Sequence, residues 1–229
     1  MNILAIDTST EYLMVGLESD KGTISLSARM GLKHATTLLP WIERILKDAS
    51  IKPDKLELIV CSIGPGSFTG LRIGLATVKG LVMGTGCSVV GIRSLDHFAF
   101  PYSFFDGAVV PVINAKKNRY YAAIYVGGKR ESDYLDIGFE ALSERLKGYD
   151  KILFTGPVAV KVGELFRGKE LPSRVARINV AFHPESESLI RLGVQKYQET
   201  GGESVENLVP FYIRKSEAEI KKFGAEGNE

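Results

Sequence analysis

The strongest constraint on the fold is an order of elements that runs through the chain twice. Compact or alternating apolar residues mark strands over 2–6, 12–17 and 24–28, with Asp20, Lys21 and Gly22 as a turn. Between 35 and 49, apolar residues at 35, 38, 39, 42, 45, 46 and 49 follow the helical period. A strand over 56–63 and a helix over 68–83 complete the first pass. The second half offers strands over 108–113, 120–126 and 134–137, with Gly127 and Gly128 as a turn. A helix over 139–146, a strand over 151–154 and a helix over 158–166 follow. An order repeated with little shared sequence predicts two similar layered α/β domains. The first is expected over 1–103. The second is expected over 104–204, closed by a helix over 185–199. A tail over 205–229 is expected to pack back and then fray.

This duplicated order of three strands, helix, strand, helix is similar to the pair of ribonuclease-H-like domains in the actin, sugar-kinase and Hsp70 (ASKHA) superfamily. The likeness concerns fold and leaves activity open. Composition narrows the classes. With 229 residues, 45% hydrophobic and 24% charged, the chain has ordinary globular usage and enough length for a core without metal or disulfide staples. A formal charge of +2 from 29 basic and 27 acidic residues gives no global nucleic-acid signal. Any RNA contact is then local, with Lys116, Lys117 and Arg119 in one loop and Arg214, Lys215, Lys221 and Lys222 in the tail as the basic clusters. Cys61 and Cys87 lack CxxC spacing and read as buried thiols in a reducing compartment. The start MNILAID has no signal-peptide character, and the longest uncharged apolar stretch, 80–92, falls short of the roughly 20 residues of a spanning helix. A cytoplasmic chain with no membrane span is expected.

Three segments invite chemical readings. Gly64-Pro65-Gly66-Ser67-Phe68-Thr69-Gly70 joins a strand to a helix, where backbone N–H groups can face an anion. It lacks the Gly-Lys-Ser/Thr of a phosphate loop, and Thr69 stands where a dinucleotide fingerprint needs glycine. A tight turn with Ser67 as helix cap is the simpler account and is favoured over phosphate binding. The same departures, Pro65 and Thr69, argue against a nucleophile elbow at Ser67. Asp7 and Thr8 close the first strand, where superfamily relatives set an acid and a hydroxyl-rich turn against metal and phosphate. An ordinary turn bonding its own backbone accounts for them as well. Asp7, Thr8, Gly64, Gly66 and Ser67 therefore form a candidate nucleotide or anion loop. His34, His97 and His183 make no HxxxH or HExxH pair, so no metal site is expected, and no catalytic residue is assigned.

The first two helices carry more apolar surface than one core contact uses. In the first, Leu38, Ile42, Leu46 and Ala49 form a stripe that Trp41 and Ile45 widen. In the second, Phe68, Leu71, Leu75, Val78 and Val82 form one stripe. Ile73, Ala76, Gly80 and Met83 form another, with small residues that permit close helix approach. Two faces imply two contacts, either both inside the subunit or one with a partner. The candidate partner interface comprises Leu38, Trp41, Ile45, Ile73, Ala76, Gly80 and Met83.

ILAIDTST at the start, HATTLLPWIERIL in the first helix and GPGSFTGLRIGLATVKGL in the second resemble the bacterial TsaB (YeaZ) family. The likeness covers the first hundred residues and PFYIRKSEAE near the end, whereas 101–200 match in element order and length. The resemblance implies a non-catalytic scaffold and activating partner of TsaD in forming N6-threonylcarbamoyladenosine at position 37 of tRNAs reading A-starting codons. It also implies TsaE in a larger complex, tRNA contact through that complex, and homodimers of the isolated chain through a bundle of the first two helices. No intrinsic cofactor is implied, with nucleotide entering only in the assembled complex. Two alternatives are a nucleotide-dependent phosphotransferase of the same superfamily, motivated by Asp7 and the Gly64 loop, and a glycoprotease, for which the metal-binding histidine pair is missing.

Overall fold

A computed structural model describes residues 1–31, 33–166 and 184–214. The first half forms a five-stranded sheet from β1 (Ile3–Asp7), β2 (Tyr12–Ser19), β3 (Gly22–Arg29), β4 (Leu58–Gly64) and β5 (Ser88–Arg93), ordered β3-β2-β1-β4-β5. The β1, β2 and β3 strands run antiparallel, while β1, β4 and β5 run parallel, with helices α1 (His34–Ala49) and α2 (Phe68–Thr85) as connections. After α3 (Ser94–Ala99), the second half forms β6 (Ala108–Asn114), β7 (Arg119–Ala122), β8 (Tyr125–Val126), β9 (Lys129–Arg130), β10 (Leu135–Gly138) and β11 (Ile152–Thr155). Helices α4 (Phe139–Leu146) and α5 (Ala159–Leu165) flank β11, and α6 (Ser186–Thr200) follows. The order β10-β7-β6, with β11 parallel to β6, repeats β3-β2-β1-β4 of the first sheet. The α/β class and the duplicated ribonuclease-H-like order are thus those of the sequence.

Alternation in β1 decides the layering. Leu4 and Ile6 face a core with Leu38, Ile42, Ile45 and Leu46 of α1 and Leu75, Val78 and Val82 of α2. Ile3 and Ala5 face the opposite side and pack with Leu189 and Ile190 of α6. Close approach of α6 depends on two glycines: a Cβ at Gly16 would stand 2.1 Å from Ser186 Cβ, and one at Gly193 2.3 Å from a Val60 methyl. On the second sheet, α4 and α5 cover one face through Leu142, Leu146 and Val162, and α3 covers the other through Leu95, Phe98 and Ala99.

This packing departs from the boundary at 103/104. The helix read as closing the second domain lies on the first sheet, and α3, from the first segment, packs on the second. A sheet buries both faces, and each here takes its outer cover from the other half of the chain. Residues 208–214 tie the halves further. Leu208 enters the first core, Phe211 N–H donates to Ile63 O at 2.6 Å, and the Phe211 ring meets Tyr134 edge-on at 5.3 Å. The tail expected to fray, from Lys215 on, lies outside the described residues, as does His183.

Candidate docking site

Helix α2 is bounded by local chemistry. Ser67, in extended backbone, accepts the Gly70 N–H on its hydroxyl at 3.2 Å, and Gly86 ends the helix at φ 71°. Ser67 therefore caps. Its own N–H donates to Ser9 O at 2.7 Å, which lays the turn after β1 against the helix start. A Cβ at Gly66 would stand 2.1 Å from Ser9 O, at Gly70 2.2 Å from Thr8 O, and at Gly74 2.2 Å from Thr8 Oγ1. Gly64, at φ 108°, lets the Phe211 carbonyl come within 2.6 Å of where its Cβ would sit. Asp7, Thr8, Gly66 and Ser67 thus come together around the Thr8–Ser9 turn, whereas Gly64 is met by Phe211.

Asp7 faces inward. Its Oδ1 accepts the Ser9 N–H at 2.7 Å, and its Oδ2 lies 3.5 Å from His97 Nδ1, both side chains being 1% exposed. His97 Nε2 lies 2.9 Å from Glu185 O. A carbonyl only accepts, so Nε2 carries a proton. Asp7 Oδ2 and His97 Nδ1 have no hydrogen-bond partner of good geometry, which leaves their contact electrostatic. Burial alone pushes the Asp7 carboxyl up. The His97 ring and the bonds from Ser9 outweigh it and hold the carboxyl below the usual carboxylate range. No sequence pattern marks this pairing: His97 stands 90 positions from Asp7 and reads as an ordinary core or surface histidine. Among the described residues, no three or more His, Cys, Asp and Glu side chains gather in a way that could hold a metal, and Asp7 is already committed to Ser9 and His97. Cys61 and Cys87 are free and buried, and burial pushes both thiols up.

The residues singled out as a partner interface separate into three groups. Leu38 and Ile45 are 1% and 0% exposed inside the first core, which corrects their assignment to an interface. The stripe of α1 that meets both the sheet and α2 is wide enough to include them. Trp41 and Ile73 are half-buried and lean on that core. Ala76, Gly80 and Met83 are exposed, Met83 by 81%. A Cβ at Gly80 or Gly84 would meet nothing within 4 Å. Leu39 of α1, which the stripe left aside, is also exposed. The result is an open face of small residues on α2 with an unburied methionine near its C-terminal end.

The architecture has counterparts. The chain matches, over residues 28–222, the family described as TsaD: tRNA N6-adenosine threonylcarbamoyltransferase. It is 29% identical over 231 residues to a Bacillus subtilis protein named tRNA threonylcarbamoyladenosine biosynthesis protein TsaB, covering 96% of this chain and 97% of the relative. It is also 29% identical over 236 residues to the Escherichia coli protein of the same name, covering 99% and 100%. Among solved structures, YeaZ from Pseudomonas aeruginosa superposes with a TM-score of 0.77 at 22% identity, covering 93% of this chain and 99% of that one. A polyphosphate/ATP-glucomannokinase from Arthrobacter superposes at 0.53 with 9% identity over 86% of this chain and 99% of that one, a likeness of fold alone. With a family match across most of its length and relatives aligned nearly end to end, the chain belongs to the TsaB (YeaZ) family, within the wider group that the TsaD description covers.

Proposed function

We propose that the chain serves as a non-catalytic scaffold and activating partner of TsaD in forming N6-threonylcarbamoyladenosine at position 37 of tRNAs that read A-starting codons. The curated relatives are named for that biosynthesis, which supports the pathway. The observation that carries the scaffold role is the contrast along α2. Its N-terminal end is packed against Thr8 and Ser9, while its Ala76, Gly80 and Met83 face is open. A helix face with no Cβ obstruction admits a second helix at close range, and an exposed methionine supplies adaptable apolar contact. The chain itself then needs no metal or nucleotide. It works in the cytoplasm, pairs with its own copy when TsaD is absent, and joins TsaE in the larger assembly. No helix among the described residues is long and apolar enough to cross a membrane.

Gly80→Glu tests the docking role, because its added side chain has open space in the folded chain and meets only a partner. Co-elution with TsaD in gel filtration should be lost at micromolar concentration, since a charge stranded in a desolvated interface costs about 3–5 kcal/mol. The thermal midpoint of the isolated chain should hold or rise, since glutamate is a better helix former than glycine. An undiminished complex would remove this face from the docking role. Calorimetry with ATP and magnesium addresses the phosphotransferase reading, and the expected outcome is no heat of binding by the isolated chain.

A further inference from the structure

We propose that a pocket where α3, the β8–β9 hairpin and α6 meet binds a free α-amino acid with an apolar side chain, its ammonium on Asp96 and its carboxylate on Arg130. The pocket has a volume of about 310 Å³, at the lower end of the range that small-molecule sites occupy. Its walls come from both halves of the chain. Asp96 and Phe100 belong to α3 and the turn after it, Val109, Arg130 and Tyr134 to the second sheet and its connections, and Leu192 to α6, the cover of the first sheet. The Gly127-Gly128 turn of the hairpin shapes the rim. Gly128 takes φ 76°, and a Cβ there would stand 3.0 Å from Ser103 Cβ, so the hairpin and the turn after α3 close on each other with no side chain between them. No residue of α1 or α2 lines the pocket, which keeps it separate from the docking face.

Asp96 is a carboxylate poised to receive a cation. The Tyr134 hydroxyl lies 2.9 Å from its Oδ1 and 2.8 Å from its Oδ2, and the Tyr125 hydroxyl donates to Oδ1. Burial, and then the Asp96 charge, push both phenols up, so they stay protonated as donors. Two phenols fix the carboxylate without neutralising it, and no base among the described residues makes an ion pair with it. Arg93 acts on it only from longer range and lays its guanidinium over the Phe211 ring at 3.5 Å. An ionised carboxylate accepts at about four lone-pair sites, so room remains for an incoming N–H. Arg130 supplies the opposite charge. Its guanidinium lies over the Tyr134 ring at 4.2 Å and donates through Nη1 to Ser132 O, which leaves most of its N–H donors for a ligand. Asp96 and Arg130 thus meet the same ring, one at its hydroxyl and the other over its face, and make no ion pair with each other. Opposite charges held apart in this way suit a molecule that carries both on neighbouring atoms: a guanidinium takes a carboxylate through paired N–H donors, and a carboxylate takes an ammonium. A lone anion would face Asp96 and a lone amine would face Arg130, and like charge disfavours each. Phe100, Val109 and Leu192 leave the rest of the wall apolar, which suits an aliphatic or aromatic side chain.

Isothermal titration calorimetry of the full chain with leucine, isoleucine, methionine and phenylalanine tests the site. At least one should bind with a dissociation constant below ~1 mM, as expected for a ligand of this size. Its amide, which lacks the carboxylate, and the matching carboxylic acid, which lacks the amino group, should each bind at least ~10-fold more weakly. Single-charge variants then separate the two ends. Arg130→Gln should equalise the amino acid and its amide, and Asp96→Asn should equalise the amino acid and the deaminated acid, each variant keeping the other preference. Arg130 is exposed, so its variant should hold the native thermal midpoint, and if Asp96→Asn fails to fold, the Arg130→Gln arm decides alone. Absence of binding by the native chain would overturn the assignment, as would discrimination left unchanged by Arg130→Gln. Tighter binding of the amide than of the amino acid would assign the pocket to a peptide N-terminus and also overturn it.

Discussion

The two ends of α2 use glycine for opposite purposes. At Gly66, Gly70 and Gly74 a Cβ would strike the Thr8–Ser9 turn within 2.2 Å, whereas at Gly80 and Gly84 it would find open space. The first set exists so that two pieces of this chain can touch. The second has no reason inside the subunit, and glycine in a helix interior costs about 0.5–1 kcal/mol against alanine. Such a cost makes sense where another backbone approaches from outside. One helix thus carries a closed end, sealed by its own chain, and an open face.

The sharpest way to break this comparison is at the buried pair behind the closed end. Asp7→Ala leaves His97 and the Ser9 N–H without their partner, and should lower unfolding free energy by about 3–5 kcal/mol in denaturant titration. The same pair gives a pH signature. Because the folded-state Asp7 value is depressed, the unfolded chain binds more protons below the ordinary aspartate range. Stability from this group is complete above that range and is lost as pH falls through the folded value. Acid titration of native protein against Asp7→Asn should show the steeper loss for the native chain, and parallel curves would contradict the assignment.

Next in size is Gly70→Ala. The neighbouring Thr8 carbonyl belongs to the backbone, so the helix start or the turn must move, at about 1–3 kcal/mol or more. Gly80→Ala should do the reverse, raising the isolated chain's stability by about 0.5–1 kcal/mol while weakening co-elution with TsaD. Matching destabilisation at both sites would erase the distinction between closed and open faces. The smallest effect is expected at Met83→Ser, within about 0.5 kcal/mol in thermal unfolding because the side chain is 81% exposed, yet with measurably faster release of TsaD. A large stability loss there would mean that Met83 is covered within the subunit.

Much of this was legible beforehand. A compact apolar run placed β1, an apolar stretch β2 and alternation β3, and the 3.6-residue period placed α1 and α2 to within two residues of their observed ends, because local pattern and tertiary burial agree there. Ser67 was legible as a cap for the same reason. Leu38 and Ile45 were misplaced because helical periodicity reports that a face is apolar without saying how wide a surface covers it. The Asp7–His97 contact was not legible at all, since no spacing rule links positions that only the packing of α3 against the strands brings together.

The sequence by itself determined the duplicated order of elements and the family to which the chain belongs, which depend on short-range pattern and on motifs along α2, while β5, α3, β9 and the division of the strand expected over 120–126 into β7 and β8 came from the structure. Only the tertiary structure decided which glycines are closely approached and which are open, that α6 covers the first sheet and α3 the second, and that Arg119 and Arg214 meet on Asp136. These are contacts between residues far apart in the chain. They follow from how two layered sheets and the closing 208–214 segment pack together, and no local propensity encodes them.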